Sequence, residues 1–218
     1  MVVAQDADGD VATVEGVQIR RARPADLAAT RTVLARALAH DPLMDWIFGL
    51  RADRSAAVAA FLWGAIEEYV LAGNAWLAVD DRRAVGAAAW RVPGTEAAGA
   101  DGGPALPGPS TLGLLLPADR VVLVREGFAA MHGLLPDEPH ALLHFLGVDA
   151  DRRGFGLGAA LVEAGLAGVP DHLPAHVNTT LESNVAFYVA RGFTHVGAVR
   201  LGPRGPQMPG LRRPARRP

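Results

Sequence analysis

The spacing of apolar residues alternates between the two-residue period of strands and the longer period of helices. Strands are predicted over 17–22, 75–80, 84–92, 140–148, 173–178 and 193–201. Helices are predicted over 23–40, 54–72, 117–135, from the glycine-rich segment after residue 148 to about residue 168, and over 184–191. Because the helices fall between strands, one α/β domain is the most economical arrangement.

The segments outside this pattern set the expected domain boundaries. Residues 1–16 carry four acids and no base, and are expected to form a disordered tail before a domain over 17–202. Within the domain, 93–135 forms an insertion, which begins with a mobile, Gly- and Pro-rich excursion over 93–110. The segment "DPLMDWIFGLRAD" is predicted to be a loop. A Pro- and Arg-rich tail over 203–218 is expected to contain at most an irregular last strand, because Pro206 and Pro209 interrupt it.

Composition excludes several kinds of chemistry. The chain has no cysteine, and all 21 of its basic residues are arginines, so thiolate zinc sites, cysteine nucleophiles, Schiff-base lysines and a P-loop lysine are excluded. The net charge of −2 leaves no general basic surface outside the C-terminal tail, so nucleic acid is not expected as a partner. There is no apolar run long enough to span a membrane, so no membrane association and a cytoplasmic location are expected.

The stretch "DADRRGFGLGAAL", residues 149–161, follows a predicted buried strand and opens a helix. The first turn of a helix has unpaired N–H groups and a partial positive charge, and glycine lets an anion approach the backbone. Arg153 adds a charged donor, whereas Arg152 is expected to be solvated. The glycine spacing does not fit the dinucleotide fingerprint G-x-G-x-x-G, and taken alone three glycines are more often a turn than a ligand site.

A second segment favours the ligand site over the simple turn. Together, "GVDADRRGFGLGAALVEAGLAG" and the later "SNVAFYVARGFTHVG" resemble two motifs of the GCN5-related N-acetyltransferase (GNAT) superfamily. The first segment is similar to the acetyl-CoA pyrophosphate motif, and the second to an Asn…Phe-Tyr…Gly-Phe motif. The matching positions are Arg153, Gly156, Gly158, Asn184, Phe187, Tyr188, Gly192 and Phe193. The overall layout is most similar to the puromycin N-acetyltransferase-like group, from which "HVNTT" and the prolines near the C-terminus depart.

The resemblance implies a single GNAT-like α/β (α+β) domain with a central mixed, mostly antiparallel twisted sheet and flanking helices. It also implies a splayed pair of strands, here 140–148 and 173–178, which would hold acetyl-CoA. The residues implied at the acetyl-CoA site are Leu146, Gly147, Val148, Arg153, Gly154, Phe155, Gly156, Leu157, Gly158, Ala159, Asn184 and Tyr188.

The same resemblance implies roles in acetyl transfer for two residues one helical turn apart. Tyr188 would be the general acid that protonates the leaving thiolate, since a phenol with a pKa of about 10 suits that step. Asn184 would position the pantetheine arm. Each residue also has a purely structural interpretation: Asn184 or Ser183 as the N-cap of its helix, and Tyr188 as an amphipathic core residue. Gly192 is interpreted as a C-cap.

Period-two alternation over 140–148 places Leu142, His144, Leu146 and Val148 on one face of the strand. If that face lines the cleft, His144 is the natural general base, although a satisfied interior histidine explains it equally well. His172 and His176 have a metal-like spacing, but the proline between them argues against a shared helix face, and no metal site is expected.

The acceptor pocket is expected to involve the loop after the first helix, the second helix and the 110–135 segment. The candidates there are Asp41, Met44, Asp45, Trp46, Phe48, Trp63, Glu67 and Tyr69. Aromatic and acidic residues suit an apolar amine, but the same spacing is typical of core packing, which is favoured.

These observations predict an acetyl-CoA-dependent N-acetyltransferase that transfers the acetyl group directly to a small-molecule amine, with antibiotics and secondary metabolites among the candidate acceptors. Protein acetylation remains open. The alternative is a non-catalytic acyl-CoA-binding or regulatory module. The protein is expected to be a monomer or a homodimer.

Overall fold

The computed structural model describes residues 11–49, 53–95 and 109–216. Residues 96–108 of the expected excursion over 93–110 and residues 1–10 of the acidic tail therefore lie outside the described residues. No helix in these ranges is both long enough and apolar enough to cross a membrane.

Eight strands and seven α-helices make up the described chain. The strands are β1 (Val11–Val14), β2 (Val17–Arg21), β3 (Ala75–Asp80), β4 (Arg83–Arg91), β5 (Ala141–Val148), β6 (Ala175–Asn178), β7 (Thr194–Arg200) and β8 (Gln207–Arg213). The helices are α1 (Leu27–Leu38), α2 (Pro42–Phe48), α3 (Arg54–Leu71), α4 (Pro109–Leu115), α5 (Ala118–His132), α6 (Leu157–Ala167) and α7 (Glu182–Val189).

The strands form one sheet in the order β1-β2-β3-β4-β5-β6-β8-β7. Strands β5 and β6 pair in parallel, and the other neighbouring strands of the described chain pair antiparallel. This mixed, mostly antiparallel sheet with flanking helices confirms the predicted fold class.

Helices cover both faces of the sheet and create two apolar cores. Residues from α1, α2, α3 and α5 pack on one face, and residues from α6 and α7 pack on the other. Two glycines allow these layers to approach closely. A Cβ at Gly147 would lie 2.8 Å from the Ala37 Cβ of α1, and a Cβ at Gly165 of α6 would overlap the Trp90 ring. The central strands β4 and β5 are therefore packed closely against helices, β5 against α1 and β4 against α6.

Helix α2 corrects the expectation of a loop after α1. The Asp41 carboxylate accepts a hydrogen bond from Leu43 N at 2.8 Å, and Pro42 occupies the first turn. An aspartate N-cap followed by proline is a helix start signal, but the apolar run behind it is too short to establish a helical period. Residues 44 and 46–48 are buried, so this helix belongs to the core.

The two ends of the sheet also differ from the expected boundaries. Strand β1 lies inside the expected 1–16 tail and pairs with β2, and β8 lies inside the expected 203–218 tail, between β6 and β7. Pro209 is part of β8, so it does not disrupt the strand. Its carbonyl accepts a hydrogen bond from Thr179 N, just beyond the end of β6, where the missing proline N–H removes no bond from the strand ladder.

Candidate functional site

The parallel strands β5 and β6 separate halfway along β5. Their pairing runs from Ala141 opposite Ala175 to Leu143 opposite Val177 and then stops, although β5 continues to Val148. The backbone groups of residues 144–148 on this edge are therefore not paired with β6. This confirms the predicted splayed strand pair and leaves a strand edge that an extended ligand arm can pair with.

A β-bulge lies where the strands separate. On the other edge of β5, Ala89 pairs with Phe145 and Trp90 pairs with Leu143, so His144 has no partner in β4. An extra residue in a strand interrupts the alternation of its faces. As a result Phe145 joins the core under α1 and α3, whereas Leu146 packs with the core under α6.

The bulge corrects the prediction that His144 shares a face with Leu146 and Val148. The His144 ring stacks on Phe145, with ring centroids 4.1 Å apart and an interplanar angle of 16°. Its Nδ1 lies 2.7 Å from the Tyr69 hydroxyl of α3. His144 nevertheless lines the cavity between the separated strands, together with Tyr69 of α3.

The glycine-rich loop leaves backbone N–H groups without an acceptor within the helix at the start of α6, and the binding of an anion there stays a prediction. Gly154 and Gly156 have φ values of +86° and +81°, a conformation that favours glycine. Gly156 is the N-cap of α6, and its carbonyl accepts the first helical hydrogen bond from Ala160 N. The N–H groups of Leu157, Gly158 and Ala159 therefore have no acceptor within the helix. Phe155 is exposed, and the Leu157 side chain is buried in the core.

Charged side chains fix the two ends of this loop. The buried Asp149 accepts hydrogen bonds from Arg36 at 2.7 Å and from Arg83 at 2.8 Å, which tie the end of β5 to α1 and β4. Arg152 forms an ion pair with Asp80 and is not simply solvated. Arg153 is more exposed, and its guanidinium donates to the carbonyl of Val148 at 3.2 Å. Of the two arginines, Arg153 is thus the one not engaged with a carboxylate.

Helix α7 supplies the opposite wall of the cavity. Leu181 is its N-cap, so neither Ser183 nor Asn184 has that role. Asn184 Nδ2 donates to Thr179 Oγ1 at 3.1 Å, which ties α7 to the end of β6. One turn later Tyr188 is buried but lines the cavity, and its hydroxyl has no hydrogen-bond partner among the described residues. Burial raises the pKa of Tyr188 above its ordinary value of 10, so the phenol stays protonated.

The C-terminal end of α7 agrees with the prediction for Gly192. Gly192 has φ = +80° directly after α7, and the N–H of Phe193 donates to the carbonyl of Tyr188, which is the expected glycine-terminated helix end. Phe193 is buried. For metals, no group of three or more His, Cys, Asp or Glu side chains in the described ranges is arranged to hold an ion.

The cavity continues from the splayed strands toward α2, α3 and α5. Among the predicted acceptor residues, Asp41, Met44 and Tyr69 line it. The others lie elsewhere: Trp46 and Phe48 are in the core, Asp45 pairs with Arg54, Trp63 is exposed beside Arg31, and Glu67 is not part of the lining. For Trp46 and Phe48, the packing interpretation is therefore the correct one.

Several lining residues had not been singled out from the sequence, among them Arg91, His132, Phe128 and Thr180. The Thr180 hydroxyl donates to both Asp41 carboxylate oxygens, at 3.0 and 2.9 Å. This bond connects segments 139 residues apart, so no local pattern reveals it. Arg91 and His132 also line a larger outer cavity of about 510 Å³ next to the first.

Burial has a measurable consequence for two histidines. Loss of solvation, with the nearby charge of Arg91, lowers the pKa of His144 to about 3, and burial beside His140 lowers that of His176 to about 4. In the unfolded chain both should titrate near 6.5. Below pH 6.5 the unfolded state therefore binds protons that the folded state does not. Stability is complete above pH 6.5 and is lost as the pH falls toward 3.

We therefore expect the free energy of unfolding to fall as the pH is lowered from 7.5 to 4.5, by up to about 1.4 kcal/mol per pH unit for each group. Urea denaturation at a series of pH values measures it. His144→Gln should flatten this dependence, whereas the exposed His172→Gln should leave it unchanged. Equal slopes in wild type and His144→Gln would show that His144 titrates normally.

Comparison with known proteins agrees with this geometry. Residues 50–193 match the family model described as Acetyltransferase (GNAT) family. A crystal structure described as histone acetyltransferase HPA2 and related acetyltransferase, from Corynebacterium glutamicum, is 25% identical, with a TM-score of 0.68, over 93% of this chain and 98% of that one. At 16–17% identity, two further structures share the fold. They are a mosquito arylalkylamine N-acetyltransferase-like protein (TM-score 0.54, 90% and 99% covered) and an agmatine N-acetyltransferase mutant (0.52, 91% and 99%).

The family model covers well over half of the chain, and it includes the strand separation, the glycine cradle and α7. The predicted superfamily is thereby confirmed, whereas the puromycin-like subgroup is not addressed by these matches. Members of this family generally use acetyl-CoA to acetylate an acceptor. The chain belongs to the acetyltransferase (GNAT) family.

Proposed function

We propose that this protein transfers the acetyl group of acetyl-CoA directly to the amine of a small molecule. The observation that carries the proposal is the cavity at the separated strands: it has an unpaired strand edge on one side and the protonated Tyr188 on the other. A concave cavity lined by residues of α2, α3 and α5 suits a small acceptor. The resemblance to the puromycin-like group, and with it an antibiotic or secondary metabolite as acceptor, remains part of this proposal.

The residues present fit acetyl-CoA. The N–H groups of residues 157–159 and the Arg153 guanidinium would hold the pyrophosphate, because a helix N-terminus with glycine access suits a phosphate. The backbone of residues 146–148 would pair with the pantetheine arm, and Asn184 would help to orient it. The bound thioester supplies an activated acyl carbon. On attack by the amine, Tyr188 would donate its proton to the departing sulfur.

His144 is proposed as the group that receives the amine proton, directly or through water. A neutral imidazole has one N–H donor and one acceptor nitrogen. His144 can act as the base only if Nδ1–H donates to the Tyr69 oxygen, because this leaves Nε2 free to accept. With a pKa of about 3 the ring is neutral at working pH, but it is a weak base. Its contribution should therefore be smaller than that of the acid.

We expect His144→Gln to lower kcat/KM by about tenfold, while the affinity for CoA is retained. Glutamine can orient a water but cannot take its proton. The acidic limb of the pH–rate profile between pH 6 and 9 should be the same in both proteins, because it belongs to the substrate amine and not to a group that titrates near pH 3. A limb that disappears in His144→Gln would contradict the low pKa. Wild-type kcat/KM in the variant would make His144 structural.

The proposed function is tested by thiol release from acetyl-CoA across a panel of primary amines, with calorimetric titration of CoA alongside. Amine-dependent thiol release together with an acetylated product supports the proposal. CoA binding without turnover on any amine would instead favour the non-catalytic acyl-CoA-binding or regulatory module. Absence of CoA binding would contradict both functions.

A further inference from the structure

Asp41 places a carboxylate in the wall of the cavity, at the first turn of α2. The carboxylate is fixed by two donors, Leu43 N at 2.8 Å and the Thr180 hydroxyl at 3.0 and 2.9 Å from the two oxygens. A carboxylate offers about four lone-pair positions, and these contacts use three. The group is therefore held rigidly, and it can accept one more hydrogen bond.

Among the described residues, the Asp41 carboxylate has no cationic partner. None of the ion pairs among the described residues includes Asp41. The charge that acts on the pKa of Asp41 is that of another acid, Asp45. Burial raises the pKa of Asp41, which is the sign of a carboxylate short of compensating charge. A largely buried charge without a counter-ion is costly, and a bound cation would remove that cost.

The rest of the inner cavity is mainly apolar. Six of its lining residues are Leu38, Leu43, Met44, Phe61, Phe128 and Met131. An acceptor that fits such a wall has an apolar body, and the carboxylate then selects the charge at one end of it. Asp41 also acts electrostatically on the site of reaction: burial is the main cause of the raised pKa of Tyr188, and the negative charge of Asp41 adds to it.

We propose that Asp41, held by Thr180 and the first turn of α2, binds the ammonium group of the acceptor, and that the acceptor is a primary amine with an apolar body. This inference rests on the proposed function, because it names the acceptor subsite of the same cavity. Asp41 contacts the substrate directly. It brings the nitrogen to the tyrosine side of the cavity before the nitrogen loses its proton.

The test compares two ligands of one shape, 2-phenylethylamine and 2-phenylethanol, which differ in the charged group. Their binding is measured by calorimetry or NMR titration in the presence of saturating CoA, and without CoA should CoA not bind. Asp41→Asn removes the charge but keeps an oxygen that can cap α2. Asp119→Asn is the matched control, since this exposed acid lies on α5 outside the cavity lining.

We expect wild type and Asp119→Asn to bind the amine at least about tenfold more tightly than the alcohol, and Asp41→Asn to bind both within about threefold. In turnover, Asp41→Asn should raise KM for the amine more than it lowers kcat. A wild type without the preference, or a preference that survives in Asp41→Asn, would overturn the inference.

The same experiment separates this inference from the proposed function. Asp41-dependent amine binding without thiol release would keep the subsite and reject catalysis. Acetylation of the amine with an unchanged KM and an unchanged ligand preference in Asp41→Asn would keep catalysis and reject the subsite.

Discussion

We expect Tyr188→Phe to lower kcat by about 10²–10⁴, the usual effect of removing a general acid, with little change in the affinity for CoA. Phenylalanine keeps the ring, and with it the edge contacts to Phe187 and Phe193 at centroid distances of 5.0 and 5.7 Å. The hydroxyl that is removed has no partner among the described residues, so its loss leaves no buried group unpaired. Steady-state kinetics with the best acceptor found measures the effect.

Tyr69→Phe is the matched control for this substitution. It deletes the other phenol of the cavity, whose hydroxyl lies 2.7 Å from His144 Nδ1 and belongs to α3 rather than to the second motif segment. We expect a smaller loss of kcat than for Tyr188→Phe, together with a loss of stability of about 1 kcal/mol from the broken hydrogen bond. If Tyr188→Phe turned over at a rate close to wild type, with chemistry shown to be rate-limiting, Tyr188 would be a core residue only.

Local periodicity was sufficient to predict most of the elements. The alternation over 75–80 matches β3, and the strand, glycine loop and helix start around 148–158 lie where the motif predicts them. These elements are specified by residues close in sequence, because each strand buries one face or both and each helix buries a stripe. The two motif segments come together at the start of α6, where the Phe187 ring lies 3.8 Å from a Cβ built at Gly158, because each segment follows a strand of the splayed pair.

The bulge at His144 shows why the site itself was harder to predict. Nothing in the sequence of residues 142–148 marks an irregularity, yet one extra residue opposite β4 moves Phe145 to the other core. Such an insertion is defined only by the register with a partner strand, which is absent from the local pattern. The Asp41–Thr180 contact has the same origin, since only the folded sheet brings α2 next to the end of β6.

The expectation that proline interrupts a strand failed at Pro209, whereas the expectation of a glycine at a helix start held at Gly156. Pro209 was expected to interrupt the final strand, but β6 ends at Asn178, so the proline faces no strand there that needs its N–H. By contrast, the sequence places Gly156 correctly at a helix start. The backbone there needs a positive φ, and this need depends only on residues close in sequence.

We expect Gly156→Val to weaken CoA binding by at least about 10²-fold. A branched side chain at the N-cap of α6 would keep the pyrophosphate from the N–H groups of residues 157–159, and each charge-assisted hydrogen bond lost costs about 1.5–3 kcal/mol. Arg153→Ala should weaken binding by about 5- to 150-fold, since it removes one charged donor and leaves the backbone cradle intact. Calorimetric titration with CoA measures both.

Valine at a φ of +81° also strains the backbone, so a matched control must carry the same strain without touching the cradle. Gly94 has φ = +80° and no atom within 4 Å of an added Cβ, and it lies in the turn after β4. Gly94→Val should therefore lose stability as Gly156→Val does, but bind CoA like wild type. Equal CoA affinity in folded Gly156→Val, Arg153→Ala and wild type would show that the pyrophosphate does not bind at this loop. If Gly94→Val also lost affinity for CoA, backbone strain would explain the effect. Valine at position 94 strains the backbone in the same way but does not obstruct the start of α6.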